Sequence, residues 1–352
     1  MAPRFFISSS ERGKGSLWRF LMYAGAMAAV PLLVMACVYL ALDPFKVLRW
    51  HDNPFDDRLG LNKGMLSVQA YARDVAGQKY DSFIMGSSVS CAYPVREWMR
   101  YLPEGSRPIH IDSSGQTVGT LRKFLEYLEA ERAELRNVLI VFAPEVFGME
   151  YDPENLSTLV PPAVERGGVP YFLSFHYRYF SGFANFRYLS PLLVYEFTGR
   201  REEHTDVPVF SPQPIVYDAS VNEELMPEWD RRLDDGAASF HGDNIQHRFL
   251  PPDAPYTILP PQIGAEEKRD LETIAAILAR NGADYRVILA PTPKLYLLPD
   301  KDERVLGYVF GERFVNLSHD FRAEQSDMSN FYDTIHYRPR LACRYMEKAY
   351  SK

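Results

Sequence analysis

The apolar positions of the chain form one long uninterrupted run near the start and a series of short runs after residue 80. Residues 20–42 contain no charged side chain, and about 20 apolar residues are enough for a helix to cross a bilayer. The 19 residues before the run hold four basic side chains and one acidic one, and positive flanks stay in the cytoplasm. We therefore predict a cytoplasmic segment 1–19, an uncleaved transmembrane anchor 20–42 and an extracytoplasmic remainder.

A second interpretation of this run stays open. Val34-Met35-Ala36-Cys37 loosely resembles a bacterial lipoprotein cleavage box, which would leave a lipid-anchored protein, but the length of the run favours the anchor. Either form places the domain in an oxidising compartment, the periplasm of a bacterium. Cys91 and Cys343 could form a disulfide there.

Beyond residue 80, short apolar runs alternate with helical patterns. Strands are predicted at 82–85, 108–111, 138–143, 285–290 and 314–317, and helices at about 117–133, around 271–278 and over 339–350. Alternating strands and helices favour a parallel sheet that is covered by helices on both faces. We predict an α/β fold, a three-layer doubly wound sheet of about five parallel strands over 81–352, with 43–80 as a juxtamembrane connector.

An insertion at about 150–264 interrupts this alternation. Its first part, from Tyr171 to Phe197, has eleven Phe or Tyr residues among 27. We expect these rings mainly to form the core of a helical cap, with sugar stacking or contact with the membrane surface as alternatives. Tyr177 and Tyr188 are the candidate sugar-binding rings. The second part, 207–262, has nine prolines and no clear period, so it is predicted to be mostly loop.

Composition and charge exclude several classes of protein. Of the 352 residues, 46% are hydrophobic and 24% are charged, which excludes a mostly disordered chain. The net charge of −7 disfavours a nucleic-acid-binding protein. Three cysteines without a C-x-x-C pattern argue against a structural zinc site, and we expect neither a metal nor a cofactor.

The candidate chemistry lies where two of the predicted strands end. Gly86-Ser87-Ser88 follows the first strand, and a helix after this turn would direct its N-terminal N–H groups toward the serine. Asp333 and His336 lie in the loop between the last strand and the last helix. Ligands of open α/β sheets bind at the carboxyl edge, where both segments are expected. A serine nucleophile needs a base and the base needs an orienting acid, so Ser88, His336 and Asp333 are the predicted catalytic residues.

This arrangement resembles the SGNH (GDSL-type) hydrolase superfamily. That family carries Gly-Asp-Ser after its first strand, a glycine block after its second and Asp-x-x-His near its end. Gly86-Ser87-Ser88 matches the first block with Ser in place of Asp, and 112–115 matches the second. The resemblance implies that the N–H groups of Ser88 and Gly115 bind the oxyanion. The third block, Gly-x-Asn-Asp, is missing, and Glu145 stands in its place. We expect Glu145 to be a solvated loop residue, with substrate binding as the weaker alternative.

The resemblance also suggests a function. The sequence resembles a divergent membrane-anchored branch of the superfamily, which serves alginate O-acetylation and D-alanyl transfer to teichoic acids. Members of this branch often work beside a membrane-bound O-acyltransferase. It implies a serine acyltransferase or esterase acting on O-acyl groups, such as acetyl, of a cell-envelope polysaccharide. A carbohydrate esterase is the alternative enzyme, and a non-catalytic scaffold that binds polymer or recruits a membrane partner is the alternative from another class.

Overall fold

The computed structural model describes residues 11–55, 62–74, 80–200 and 215–351. Its longest helix is α1 (Glu11–Leu42), in which Leu17–Leu42 is long and apolar enough to cross a membrane. Only 6% of the most apolar stretch of this helix is buried inside the protein, so its apolar surface is not covered by the rest of the chain. The first ten residues of the predicted cytoplasmic segment lie outside the described residues.

The remaining elements follow in chain order. The first part contains α2 (Lys63–Asp74), β1 (Ser82–Gly86), α3 (Val95–Trp98), β2 (Pro108–Asp112), α4 (Val118–Ala130) and β3 (Asn137–Phe142). The insertion contains α5 (Pro162–Glu165), α6 (Gly168–Ala184), α7 (Phe186–Thr198), β4 (Val216–Asp218), β5 (Glu223–Leu225), α8 (Pro227–His241), α9 (Asp243–Gln246) and β6 (Thr257–Ile258). The last part contains α10 (Ala265–Arg280), β7 (Asp284–Leu289), β8 (Tyr296–Leu297), α11 (Asp300–Phe310), β9 (Phe314–Asn316), α12 (Arg322–Ser326) and α13 (Pro339–Tyr350).

The centre of the fold is a parallel sheet with the strand order β2-β1-β3-β7-β9. Every residue of β1, β2 and β3 is buried, as expected for strands that helices cover on both faces. The prediction of an α/β fold with about five parallel strands is therefore confirmed. The order reverses direction between β1 and β3, and such a switch point opens a crevice at the carboxyl ends of the two strands.

The helices form two groups around this sheet. Helix α10 packs against α4 and α11, whereas α13 packs against α3. The chain moves from β1 to β2 on one side of the switch point and from β3 to β7 and β9 on the other. Because parallel connections are right-handed, these opposite directions place the two groups of helices on opposite faces of the sheet. One continuous apolar core joins both groups to the sheet, and a second, smaller core joins the end of α1 to α6 and α7.

Two segments differ from the sequence-based expectation. The predicted connector 43–80 contains α2, whose Val68, Ala70 and Tyr71 belong to the main core. The predicted loop 207–262 contains helix α8, which is kinked at Gly236 and has Pro227 in its first turn. Proline is tolerated there because the first N–H groups of a helix have no partner within it. Residues 207–214 of that prediction lie outside the described residues.

Candidate active site

The turn after β1 presents Ser88 at the carboxyl edge of the sheet. Gly86 has φ +152°, and a Cβ at this position would lie 2.5 Å from the carbonyl oxygen of Val141, so only glycine fits there. Ser90 donates from both its N–H, at 2.9 Å, and its Oγ, at 2.7 Å, to the carbonyl oxygen of Ser87. Ser88 begins a five-residue 3₁₀-helix, so the helix expected after this turn is a short one.

Asp333 and His336 lie in a tight loop between two buried rings. Phe331 and Tyr337 pair as an antiparallel bridge, and both are almost fully buried. Within the loop, the N–H of Tyr332 donates to the carbonyl oxygen of His336 at 2.8 Å. The bridge therefore fixes both ends of the segment that carries the two side chains.

The structure places the three predicted catalytic side chains within hydrogen-bond distance of one another. His336 Nε2 lies 2.7 Å from Ser88 Oγ, and His336 Nδ1 lies 2.7 Å from Asp333 Oδ2. The serine and the histidine are 248 positions apart in the sequence. This chain of contacts has the order nucleophile, base and orienting acid that a serine acyl-transfer site requires.

The second oxygen of Asp333 is held by the backbone of its own loop. Asp333 Oδ1 accepts from the N–H groups of Ile335 and His336, both at 2.7 Å. Burial raises the pKa of Asp333, but the hydrogen bonds and the charge of His336 outweigh it, so this pKa lies below its ordinary value. The carboxylate therefore stays ionised and can accept the Nδ1–H of His336.

Gly115 occupies the predicted position in the loop after β2. Its φ is +57°, and an added Cβ would lie 3.1 Å from Thr158 Cγ2, so the insertion closes over this glycine. Among the hydrogen bonds of the described residues, none has the N–H of Ser88 or Gly115 as its donor. Both N–H groups are therefore left without an internal acceptor, as the predicted oxyanion role requires.

Glu145 is not the solvated loop residue that we expected. Its side chain is 25% exposed, and Oε1 lies 3.7 Å from Lys294 Nζ in the loop after β7. Burial raises the pKa of Glu145, against the opposing effect of Lys294. The partial burial arises because β3 and β7 are neighbours, which brings the loops after their carboxyl ends together.

Two further polar side chains near this edge were not predicted. Gln116 follows Gly115 and is 3% exposed, and Thr292, three residues after the end of β7, is 1% exposed. The amide of Gln116 and the hydroxyl of Thr292 have no hydrogen-bond partner among the described residues. Buried polar groups in this condition are uncommon in folded proteins, and the positions were not found because no motif marks them.

A cluster of charged groups surrounds Cys91, which lies in the 3₁₀-helix that Ser88 begins. Lys63 Nζ lies 3.0 Å from Glu224 Oε2, 3.2 Å from Cys91 Sγ and 4.0 Å from Asp112 Oδ2. Cys91 Sγ in turn donates to Asp112 Oδ2 at 3.0 Å. Burial and the charge of Asp112 raise the pKa of Cys91 well above its ordinary value, so the thiol is neutral. All three cysteines have free thiols, so Cys91 and Cys343 do not form the disulfide considered above.

Helix α8 of the insertion anchors the histidine loop from outside. Arg338, 4% exposed, donates from Nε to Asp230 and from Nη1 to Asp234, both at 2.7 Å. Tyr332 donates its hydroxyl to the same Asp230 at 2.9 Å. Because Arg338 is two residues after His336, these contacts hold the loop against movement.

The two candidate sugar-binding tyrosines lie on α6 and α7, and of the two only Tyr188 packs against the smaller core. Tyr188 packs edge-on against Phe45, with ring centroids 5.3 Å apart, which leaves it only partly exposed. Tyr177 is 69% exposed. Tyr177 lines a groove beside the end of α1. Among the described contacts, neither ring meets the predicted catalytic side chains, so both lie outside the site around Ser88.

Comparison with known proteins gives no closer identification. No family model matches the chain. No curated protein matches it either.

Proposed function

We propose that this protein is a membrane-anchored serine acyltransferase that acts on O-acyl groups of a cell-envelope polysaccharide. The observation that carries the proposal is the contact chain from Ser88 Oγ through His336 to Asp333, with both distances at 2.7 Å. An activated serine of this kind makes and breaks esters by forming an acyl-enzyme. The apolar span of α1 supports anchoring in the cytoplasmic membrane, with the domain in the periplasm.

The first half of the reaction forms the acyl-enzyme. Ser88 Oγ attacks the carbonyl carbon of the donor ester while its proton passes to His336 Nε2. The N–H groups of Ser88 and Gly115 stabilise the negative charge that develops on the carbonyl oxygen. The tetrahedral intermediate then breaks its bond to the donor oxygen, which takes the proton from His336 and leaves as an alcohol.

The second half transfers the acyl group. A sugar hydroxyl gives its proton to His336 Nε2 and attacks the acyl carbon, and collapse returns the proton to Ser88 Oγ. Asp333 holds the imidazole in the tautomer that carries hydrogen on Nδ1 in both halves and stabilises the imidazolium. The resemblance to the envelope branch supports a polysaccharide acceptor and a membrane-bound O-acyltransferase as the source of the acyl group.

Hydrolysis is the second candidate, and one observation favours it. The side chains of His336 and Asp333 are 36% and 43% exposed, so water has access to the acyl-enzyme. A carbohydrate esterase would use the same residues, with water in place of the sugar hydroxyl.

The two candidates predict opposite results in the cell. Deletion of the protein should lower the acyl content of the envelope polymer for a transferase and raise it for an esterase. Restoring the wild-type chain should reverse the change, and the Ser88→Ala chain should not. An acyl content that the Ser88→Ala chain restores as well as the wild type does would overturn both and support the scaffold.

A further inference from the structure

Helix α6 carries three faces, and one of them is apolar and exposed. Phe175, Tyr179 and Phe183 recur every four residues and are at most 1% exposed in the smaller core. A neighbouring face carries the exposed stripe, defined as Val169, Phe172, Leu173 and Tyr177, whose exposed fractions are 69%, 50%, 60% and 69%. Single exposed apolar residues are ordinary, but a contiguous group marks a contact surface.

The polar residues of α6 lie on its third face. Ser174, Arg178 and Ser181 recur at i, i+4 and i+7, and Arg178 pairs with Glu154 at 3.1 Å. Arg178 is the only charged residue of the 17 in this helix. The exposed stripe therefore has no charge, whereas the outer face of a surface helix in water normally carries charged and polar residues.

The exposed stripe continues the apolar surface of α1. A groove of about 610 Å³ lies between the two helices, with Tyr39 and Leu40 of α1 on one side and Phe172 and Tyr177 on the other. Tyr39 packs edge-on against Phe180 at 5.6 Å between ring centroids. A bilayer that surrounds the last turns of α1 therefore also meets α6.

The composition of the stripe fits the boundary between lipid headgroups and acyl chains. Tyrosine and other aromatic rings are enriched at that level because one end is apolar and the other can meet water. Helices that lie there bury their apolar face about 5–10 Å deep. Burial lowers the pKa of His176, which lines the same groove, so its ring is neutral near pH 7.

We propose that α6 lies flat in the outer interface of the lipid bilayer, with the exposed stripe among the lipids. The domain then has two contacts with the membrane, which fix its orientation. The inference rests on α1 being a membrane anchor, as in the proposed function, and not on the chemistry of Ser88.

Direct contacts connect this membrane surface to the candidate site. Tyr179 lies in α6, and its hydroxyl donates to the carbonyl oxygen of Leu156 and accepts from Asn62 Nδ2. Asn62 Nδ2 also lies within hydrogen-bond distance of the carbonyl oxygens of Leu156 and Leu159. Between those two residues, Thr158 closes over Gly115. An α6 held at the bilayer therefore sets the position of the loop that carries Gly115 relative to the membrane.

The test is photolabelling of the full chain in vesicles of phosphatidylethanolamine and phosphatidylglycerol that contain a diazirine phospholipid. Lipid adducts are mapped by mass spectrometry of peptides. We expect adducts on α1 and on residues 169–177. Adducts on α1 alone would overturn this proposal and leave the anchor intact, and an absence of adducts on both helices would contradict the anchor as well.

Variants sharpen this test. Replacing Phe172, Leu173 and Tyr177 together by serine should lower the adducts on α6 at least tenfold, with those on α1 unchanged. Tyr308→Ser is the matched control because Tyr308 is 81% exposed on α11, away from the stripe, and it should change nothing. The same labelling is repeated in native membranes. If α6 of the wild type is labelled in vesicles of purified protein but not in native membranes, a protein partner covers the exposed stripe and the lipid proposal is wrong.

Discussion

Replacing Asp333 by asparagine changes one atom that contacts His336 and leaves the shape of the loop intact. Asp333 Oδ1 accepts two backbone N–H groups at 2.7 Å, so the amide of the variant must keep its oxygen at that position. Its NH₂ group then faces His336 Nδ1, which must become an acceptor. The imidazole is thereby forced to carry its hydrogen on Nε2, which faces Ser88 Oγ and can no longer accept the serine proton.

The magnitude follows from this tautomer. The same change in a well-studied serine protease triad lowers kcat by about 10⁴-fold, which corresponds to about 5 kcal/mol of transition-state stabilisation. The alternative orientation of the amide would place its NH₂ group against two N–H donors, so this orientation is unfavourable and does not restore the tautomer that accepts the serine proton. We therefore expect Asp333→Asn to lose about four orders of magnitude in kcat, with little change in KM.

The assay is hydrolysis of p-nitrophenyl acetate by the full chain in detergent. Asp327→Asn is the matched control, because Asp327 also accepts a backbone N–H, from Ser329 at 2.9 Å, but does not contact His336. It should keep wild-type activity, and thermal unfolding should show that both variants are folded. An Asp333→Asn protein that keeps more than a tenth of the wild-type kcat would refute the argument from the tautomer.

Further changes have defined outcomes. Gly86→Ala should lower the free energy of unfolding in denaturant by at least about 1–3 kcal/mol because Gly86 has a positive φ. Gly307 lies at an exposed position in the middle of α11 with open space around it, so Gly307→Ala should raise the free energy of unfolding by up to about 1 kcal/mol. Arg338→Gln breaks two hydrogen bonds to carboxylates and should cost about 2 kcal/mol in the same measurement, with a fall in kcat that exceeds any rise in KM. The pKa of Asp333 is depressed in the folded state, so its contribution to stability is present above about pH 4, its unfolded pKa, and is lost as pH falls through the folded value. The difference in unfolding free energy between wild type and Asp333→Asn should therefore shrink below pH 4.

The parts of this protein that the sequence predicted are those set by local pattern. The strands at 82–86 and 137–142 are almost entirely apolar after their first residue, which is typical of strands that are buried on both faces. The strand at 108–112 is equally buried but contains His110 and Asp112. Ser88 was found because it follows the first strand directly, and His336 because it lies with Asp333 in the loop before the last helix. Parallel strands bring all their carboxyl ends to one edge, so the distance of 248 residues between the two did not matter.

The parts that escaped prediction depend on contacts between distant segments. Arg338 and Asp230 are 108 residues apart, and Lys63 meets Glu224 across an even longer separation. No local period marks either pair, because each charge is one of many in the sequence and only the fold selects its partner. Helix α8 was missed for a different reason, since Pro227, Gly236 and the many charges of its sequence resemble those of a loop.

The central claim is that Ser88 is an activated nucleophile, and labelling with a fluorophosphonate probe tests it most directly. The full chain is treated in detergent, and the modified residue is identified by mass spectrometry. We expect one adduct, on Ser88, that is absent in Ser88→Ala and His336→Ala and present in Ser87→Ala. A folded wild-type protein that takes up no probe, or an adduct on Ser87 or Ser90 instead, would contradict the account.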